Sequence, residues 1–290
     1  MTSTTSPSPS PTRVRQIALV AQDLERAEYL LTKVIGSEVI FVDAGVELFG
    51  LENILVAIGG DILEVVSPIK PNTSAGRLLS KRGDGGYMII MQNADAKKQR
   101  AHIESNGLGK VIYTHEDENS VCIQYHPKGI KGGMMPELDS HHPTPEFPEP
   151  VASRFSPWHG CGSPYYAFYS ACMKRTAELQ LTGVTCRLAP GDTDTDAALQ
   201  QWAHMFGIPR GDDGCLEFTN VRMKFVPGKE GASEGLASVT IAVRGEERLR
   251  GIFDRAAEME LPRGDGWVDM VGVRWWFVLG DGKGDAESKL

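Results

Sequence analysis

The sequence predicts an α+β protein made of four βαβββ units, taken two by two. Three features lead there. Short β-branched runs alternate with single amphipathic helices, the strand–helix–strands order recurs within each half, and a proline-rich passage near the middle separates the halves.

The first unit opens on 14–21 (VRQIALVA), an apolar, β-branched strand. Asp23 follows as an N-cap, and Leu24, Ala27, Leu30, Leu31 and Val34 then fall at helical spacing. Gly36 stands where a glycine ends a helix. Strands over 38–42, 54–58 and 62–66 complete the unit, with Gly59 and Gly60 turning the last two. The second unit starts with a strand over 87–92 (YMIIMQ), and Asp95 caps a helix that stops near Asn106 and Gly107. Strands over 111–114, 121–125 and 134–138 close it.

Residues 141–157 (HHPTPEFPEPVASRFSP) cannot continue a helix or a central strand, because proline lacks the N–H that either needs. They are expected to form an extended linker, followed by a connecting helix over 165–181. The third unit has a strand at 184–188, a helix at 192–206 with Ala198, Leu199, Trp202, Ala203 and Phe206 inward, and strands at 216–219 and 222–226. The fourth has a strand at 236–243, a helix at 246–259 and a closing hairpin of 267–270 and 273–279. The domain division is therefore a tail (1–13), a first domain (14–140), linker and helix (141–182), a second domain (183–279) and a polar tail (280–290).

Composition narrows the function. Hydrophobic residues make up 41% and charged residues 23% of 290, enough for an ordinary core in each half. Thirty Lys and Arg against 38 Asp and Glu leave a net charge of −8, which argues against a general nucleic-acid or anionic-membrane binder. No apolar stretch reaches the roughly 18–20 residues of a membrane span, and 1–12 has no signal-peptide core. Cys122, Cys161, Cys172, Cys186 and Cys215 form no CxxC pair, so reduced thiols in a cytoplasmic protein are expected. There is no Walker loop and no G-x-S-x-G elbow. The glycine runs at 83–86 and 129–133 are expected to be hairpin turns. Lys81, Arg82, Lys128 and Lys131 beside them either meet an anionic substrate arm or are solvated.

Three stretches, RQIALVAQDLERAEYLL, FGLENILVAIGGDILEVVSPI with LLSKRGDGGYMIIMQNAD, and CIQYHPKGIKGGMMPEL, resemble the vicinal oxygen chelate superfamily of glyoxalase, bleomycin-resistance and dioxygenase type. The first half is most similar to its methylmalonyl-CoA epimerase and glyoxalase-like members. The resemblance covers about 125 residues of the chain. It implies paired modules curled into half-open barrels, with four wall positions holding a divalent metal. Those positions here are Gln16, Glu64, Tyr87 or Met88, and Glu137. Relatives often have histidine where Gln16 stands, and the epimerases have one at the Tyr87–Met88 position. The metal set that remains, Gln16, Glu64 and Glu137, is oxygen-only and suits weakly held Mg²⁺, Mn²⁺ or Ca²⁺ better than Zn²⁺, Ni²⁺ or Fe.

The residues themselves point at the same places. Glu64 lies within Ile62-Leu63-Glu64-Val65-Val66 and Glu137 within Met134-Met135-Pro136-Glu137-Leu138, and a carboxylate buried in such strands costs several kcal/mol unless paired, metal-bound or protonated. Alternation puts Glu64 on the face of Ile62 and Val66, and Gln16 on that of Val14, Ala18 and Val20. The other reading of Glu64 is an edge carboxylate reaching solvent, an Arg or a backbone amide; of Gln16, a core amide bonded to backbone. Tyr87 either donates to a substrate oxygen or is core with its hydroxyl at the rim. Glu64 and Glu137 are the candidate catalytic pair, and Tyr87, Phe49 and Gln16 the candidate substrate contacts. His126 marks a turn, and His141 and His142 are expected to be solvated.

In the second half the four places fall on Thr185, Met223, Ala237 or Ser238, and Trp276, none a usual ligand. A duplicated domain without its chelate is expected there. Trp202, Trp275, Trp276 and Phe277 either line a pocket or, on the preferred reading, fill the barrel.

The resemblance implies an isomerase, epimerase or lyase that acts on a small enolisable carbonyl substrate by carboxylate acid–base chemistry, with a weakly held divalent ion or without one. The alternative is a non-catalytic protein that sequesters an apolar aromatic small molecule. Monomer and homodimer both stay open, because two domains in one chain can pair internally.

Overall fold

The structure, a computed structural model, describes residues 11–280. The first half contains β1 (Thr12–Val20), α1 (Leu24–Lys33), β2 (Val39–Phe41), β3 (Leu51–Ile58), β4 (Asp61–Pro68), α2 (Ser74–Arg82), β5 (Gly85–Asn93), α3 (Ala96–Ser105), β6 (Val111–Glu116), β7 (Ser120–Tyr125) and β8 (Met135–His141). These strands make one eight-stranded sheet in the order β2-β3-β4-β1-β5-β8-β7-β6. After α4 (Tyr166–Arg175), the second half contains β9 (Leu179–Arg187), α5 (Thr195–Phe206), β10 (Arg210–Gly211), β11 (Cys215–Glu217), β12 (Arg222–Val226), β13 (Gly235–Val243), α6 (Glu246–Glu258), β14 (Arg263–Gly264), β15 (Trp267–Met270) and β16 (Val273–Leu279). Its sheet repeats the order as β10-β11-β12-β9-β13-β16-β15-β14. All four βαβββ units are present. In each sheet the first strands of the two units run antiparallel in the middle, and each pairs in parallel with the last strand of its own unit.

Local chemistry sets the helix ends. Asp23 accepts from Arg26 N–H at α1, Asp95 from Lys98 N–H at α3, and Asp194 from Ala197 N–H at α5. Helix α2 was not expected from the sequence. Thr73 caps it by accepting from Gly76 N–H, and it seats Ala75 and Leu79 against Val20, Leu51 and Val66. Gly76 within the segment masks its periodicity.

Four further expectations are corrected. Thr12 and Arg13 belong to β1 rather than to the tail, Arg13 bonding Asp61 at 2.7 Å; residues 1–10 and 281–290 of the predicted tails lie outside the described residues. A bulge skips Arg15, so that Val14 pairs with Met91 and Gln16 with Ile90; Val14 thereby joins the outer, helix-covered face with Ile17 and Leu19 while Gln16 stays inside. The connecting helix ends at Arg175, because Leu179–Leu181 already pair with β13. The proline-rich passage is not a free linker: Trp158, Cys161 and, from α4, Tyr169, Cys172 and Met173 pack onto Ala18, Leu55, Ala57, Ile62, Met88 and Ile90 of the first sheet's inner face.

Arg15, fully buried, fastens this cover by donating to the carbonyls of Ser156 (2.6 Å) and Arg154 (3.2 Å), with its guanidinium over the Trp158 ring. The cover also rests on the β3–β4 turn. A Cβ at Gly60 would lie 1.9 Å from the Arg154 carbonyl oxygen, so only glycine allows this approach.

Gly60→Ala is therefore expected to cost about 1–3 kcal/mol in urea unfolding and to speed protease cleavage within 142–165. An unchanged midpoint and cleavage rate would show that the cover is not seated on this turn.

Candidate active site

The inner face of the first sheet and its cover enclose a cleft of about 780 Å³. Glu64, on β4, is 8% exposed and sits at its floor. Both of its oxygens are held by amides: Gln16 Nε2 donates to Oε2 at 2.8 Å, and Asn53 Nδ2 to Oε1 at 2.6 Å. Each amide is oriented in turn by an N–H that can only donate. Trp158 Nε1–H donates to Gln16 Oε1 at 2.8 Å, and Asp43 N–H to Asn53 Oδ1 at 2.9 Å. Burial raises the Glu64 carboxyl above its ordinary range, the Asn53 and Gln16 donors work against that rise, and Asp43 adds to it.

Glu137, 4% exposed on β8, stands across the cleft. Burial and the neighbouring Asp139 push its carboxyl up to about 8, although His159 opposes the shift. Asp139, fully buried two residues along the same strand, accepts from His159 Nε2 at 2.7 Å. Tyr87 lines the cleft between the two glutamates; burial and their negative field push its hydroxyl up to about 12, which keeps it a proton donor. Phe49 is at the lip, 57% exposed and edge-on to Tyr113. The structure thus brings Gln16 and Glu64 into direct contact and places Glu137, Tyr87 and Phe49 around the same cleft.

The oxygen-only metal set does not fit this geometry. An ion shared by Gln16 and Glu64 needs the amide oxygen beside the carboxylate. Trp158 N–H fixes that oxygen on the other side, and turning the amide would set its NH₂ against the indole N–H.

Sequence reasoning missed Asn53, Cys122, Asp139, Trp158 and His159. Asn53 and Asp139 carried a signal, since each is a polar residue in the same strand as apolar inner-face positions. His141 is also corrected. It is half-buried and stacked on Trp158, with Nε2 accepting from His159 N–H, and burial pushes it down to about 3. His142 is exposed, as expected. Arg82 and Lys131 do not face the cleft: Arg82 donates to the Glu234 carbonyl and Lys131 pairs with Asp192, both across the two halves.

Strand register gives the second sheet's equivalents. Gln16 stands between Ile62 and Ile90 as Gly183 stands between Arg222 and Thr240, and Glu64 opposite Ala18 corresponds to Lys224 opposite Thr185. Gly183 and Lys224 therefore replace Thr185 and Met223 as the counterparts, whereas Trp276 does match Glu137. Trp202, Trp275 and Phe277 are buried; Trp276 is 37% exposed on the open face, so it does not fill a barrel.

Glu64 titrates higher folded than unfolded, so its contribution is complete below 4.5 and is lost as pH rises through the folded value. Asn53→Ala removes a donor to the charged form and is expected to deepen that loss. Unfolding free energy measured against pH, wild type beside variant, checks it; parallel curves would show that Asn53 does not hold Glu64.

No family model matches the sequence, and no curated protein matches it. Among solved structures, methylmalonyl-CoA epimerase from Streptomyces coelicolor, in complex with 2-nitronate-propionyl-CoA, is similar at 24% identity over 45% of this chain and 98% of that one, with a TM-score of 0.41. Methylmalonyl-CoA epimerase from Mycobacterium tuberculosis is similar at 19% identity over 49% and 95%, with a TM-score of 0.41. A hypothetical protein from Staphylococcus aureus is similar along nearly the whole length, 93% of this chain and 100% of that one, at 11% identity and a TM-score of 0.57. Four βαβββ units, paired two by two into two sheets of identical strand order, make an α+β architecture repeated in tandem, and the Staphylococcus aureus protein shares it along nearly the whole chain.

Proposed function

We propose that the chain is an enzyme, of the isomerase, epimerase or lyase kind, that enolises a small carbonyl substrate in the first domain's cleft by carboxylate acid–base chemistry. The observation that carries this reading is Glu64, a buried carboxylate with both oxygens held by oriented amides at the floor of a cleft of about 780 Å³. The amides fix its aim, and burial strengthens it as a base. Glu64 would take the proton α to the substrate carbonyl, and Glu137 on the facing wall would return one or protonate the enolate oxygen. Tyr87, still protonated at neutral pH, would donate to that oxygen. Phe49 and its neighbour Leu48, exposed at the lip, would cover the apolar part of the substrate. No step is routed through an ion between Gln16 and Glu64, because their amide–carboxylate bond excludes it.

The test is solvent deuterium exchange at the α-carbon across a panel of enolisable thioesters and α-keto acids. Glu64→Gln is expected to lower exchange by about 10²–10⁴-fold, and the acid limb of kcat/KM in the wild type to lie above 4.5 because the Glu64 carboxyl is raised. Tight binding of an aromatic ligand with no exchange on any substrate would overturn this reading in favour of sequestration.

A further inference from the structure

We infer that Cys122, Glu137, Asp139 and His159, at the β7–β8 end of the cleft, form a binding site for one divalent transition-metal ion of the zinc class. One potential ligand atom from each lies within 4.8 Å of all the others. Three of the four are set by the ladder: Cys122 pairs directly with Asp139, and Glu137 and Asp139 are two apart on β8 and share a face. The fourth, His159, arrives on the cover, where its N–H donates to His141 Nε2 at 3.0 Å and seats it beside Asp139.

A second observation points to a missing cation. Asp139 is fully buried, and while its Oδ2 meets His159, its Oδ1 has no hydrogen-bond partner. A buried carboxylate oxygen without a donor is costly, and a second carboxyl and a thiol stand among the groups gathered beside it. Gln16 and Asn53 give Glu64 two amide donors, whereas Asp139 has the His159 imidazole on one oxygen and the weakly donating Cys122 thiol beside it.

The donor chemistry selects the ion. Sulfur, imidazole nitrogen and two carboxylate oxygens are a tetrahedral set for Zn²⁺, with Co²⁺ as its spectroscopic substitute, whereas Mg²⁺ and Ca²⁺ prefer oxygen throughout. Ligand bonds of about 2.0–2.3 Å place neighbouring donors roughly 3.3–3.8 Å apart, so the cluster closes with side-chain movements of about 1 Å. The ion can reach it, because Cys122, Glu137 and His159 all line the cleft. The site is separate from the Gln16–Glu64 end and does not depend on the acid–base reading, although ion and proton compete for Glu137.

The test uses the full chain, stripped with chelator and titrated with Co²⁺ by absorbance and with Zn²⁺ by calorimetry. One equivalent should bind, with a thiolate-to-cobalt charge-transfer band that Cys122→Ser abolishes. His159→Gln and Asp139→Asn should each weaken binding at least about tenfold, and Glu64→Gln should leave stoichiometry unchanged. Circular dichroism confirms folding; if Asp139→Asn does not fold, His159→Gln decides, since that side chain is partly exposed. No bound ion, a band that survives Cys122→Ser, or an ion lost in Glu64→Gln but kept in His159→Gln would overturn the site.

Discussion

A curled sheet has an inner face that must be covered or wet, and in the first domain Trp158 decides which parts are which. The indole is fully buried against Arg15 and His141, and its backbone N–H donates to the Tyr169 hydroxyl at 3.0 Å. Its single side-chain donor then fixes Gln16, Gln16 fixes one oxygen of Glu64, and Asn53 fixes the other. A buried carboxylate would otherwise be a heavy liability. Here it becomes a rigid group at the floor of a cleft, because a residue 142 positions away supplies the first hydrogen bond of the relay.

The second sheet shows the other solution to the same constraint. It repeats the strand order and places a register shift at the equivalent point of its first strand, but among the described residues no chain segment closes its inner face in the way that Trp158 closes the first. The residues follow the solvent. Gly183 and Lys224 stand where Gln16 and Glu64 stand, Arg222 and Lys224 pair with Asp213, and Trp276 is partly exposed. Meanwhile Trp275, Phe277 and Met223 alternate to the other side and pack beneath the helices. Alternation along each strand therefore preserves one apolar face in both domains and leaves only the inner face to diverge.

This also explains what was legible in the sequence. The units, the order of elements along the chain and the Asp23 and Asp95 caps rest on local patterns and short-range turns, so they could be read directly. Gln16, Glu64 and Glu137 were legible because a polar side chain in an apolar strand is anomalous wherever it points. The cover was not. Proline content reads as solvent-exposed chain, while the packing of 155–173 onto the first sheet comes from Trp158, Tyr169 and Met173 meeting residues far away in sequence. With the cover went Trp158 and His159, and with them the reason that Gln16 faces the indole and Asp139 faces an imidazole.

The same cover accounts for the division of labour within the cleft. At one end it brings an indole N–H, which can only donate, and that forces an amide–carboxylate pair with no place for an ion. At the other it brings an imidazole, which can donate, carry charge or ligate, to a thiol and two carboxyls that the β7–β8 ladder has already set together. Neighbouring residues of one loop, Trp158 and His159, thus impose opposite chemistry on the two walls: one holds a carboxylate by hydrogen bonds alone, the other leaves a buried carboxylate oxygen without a donor. On the proposed acid–base reading, a substrate between Glu64 and Glu137 would meet both walls, and the order of Trp158 and His159 in the cover would set which wall supplies the base.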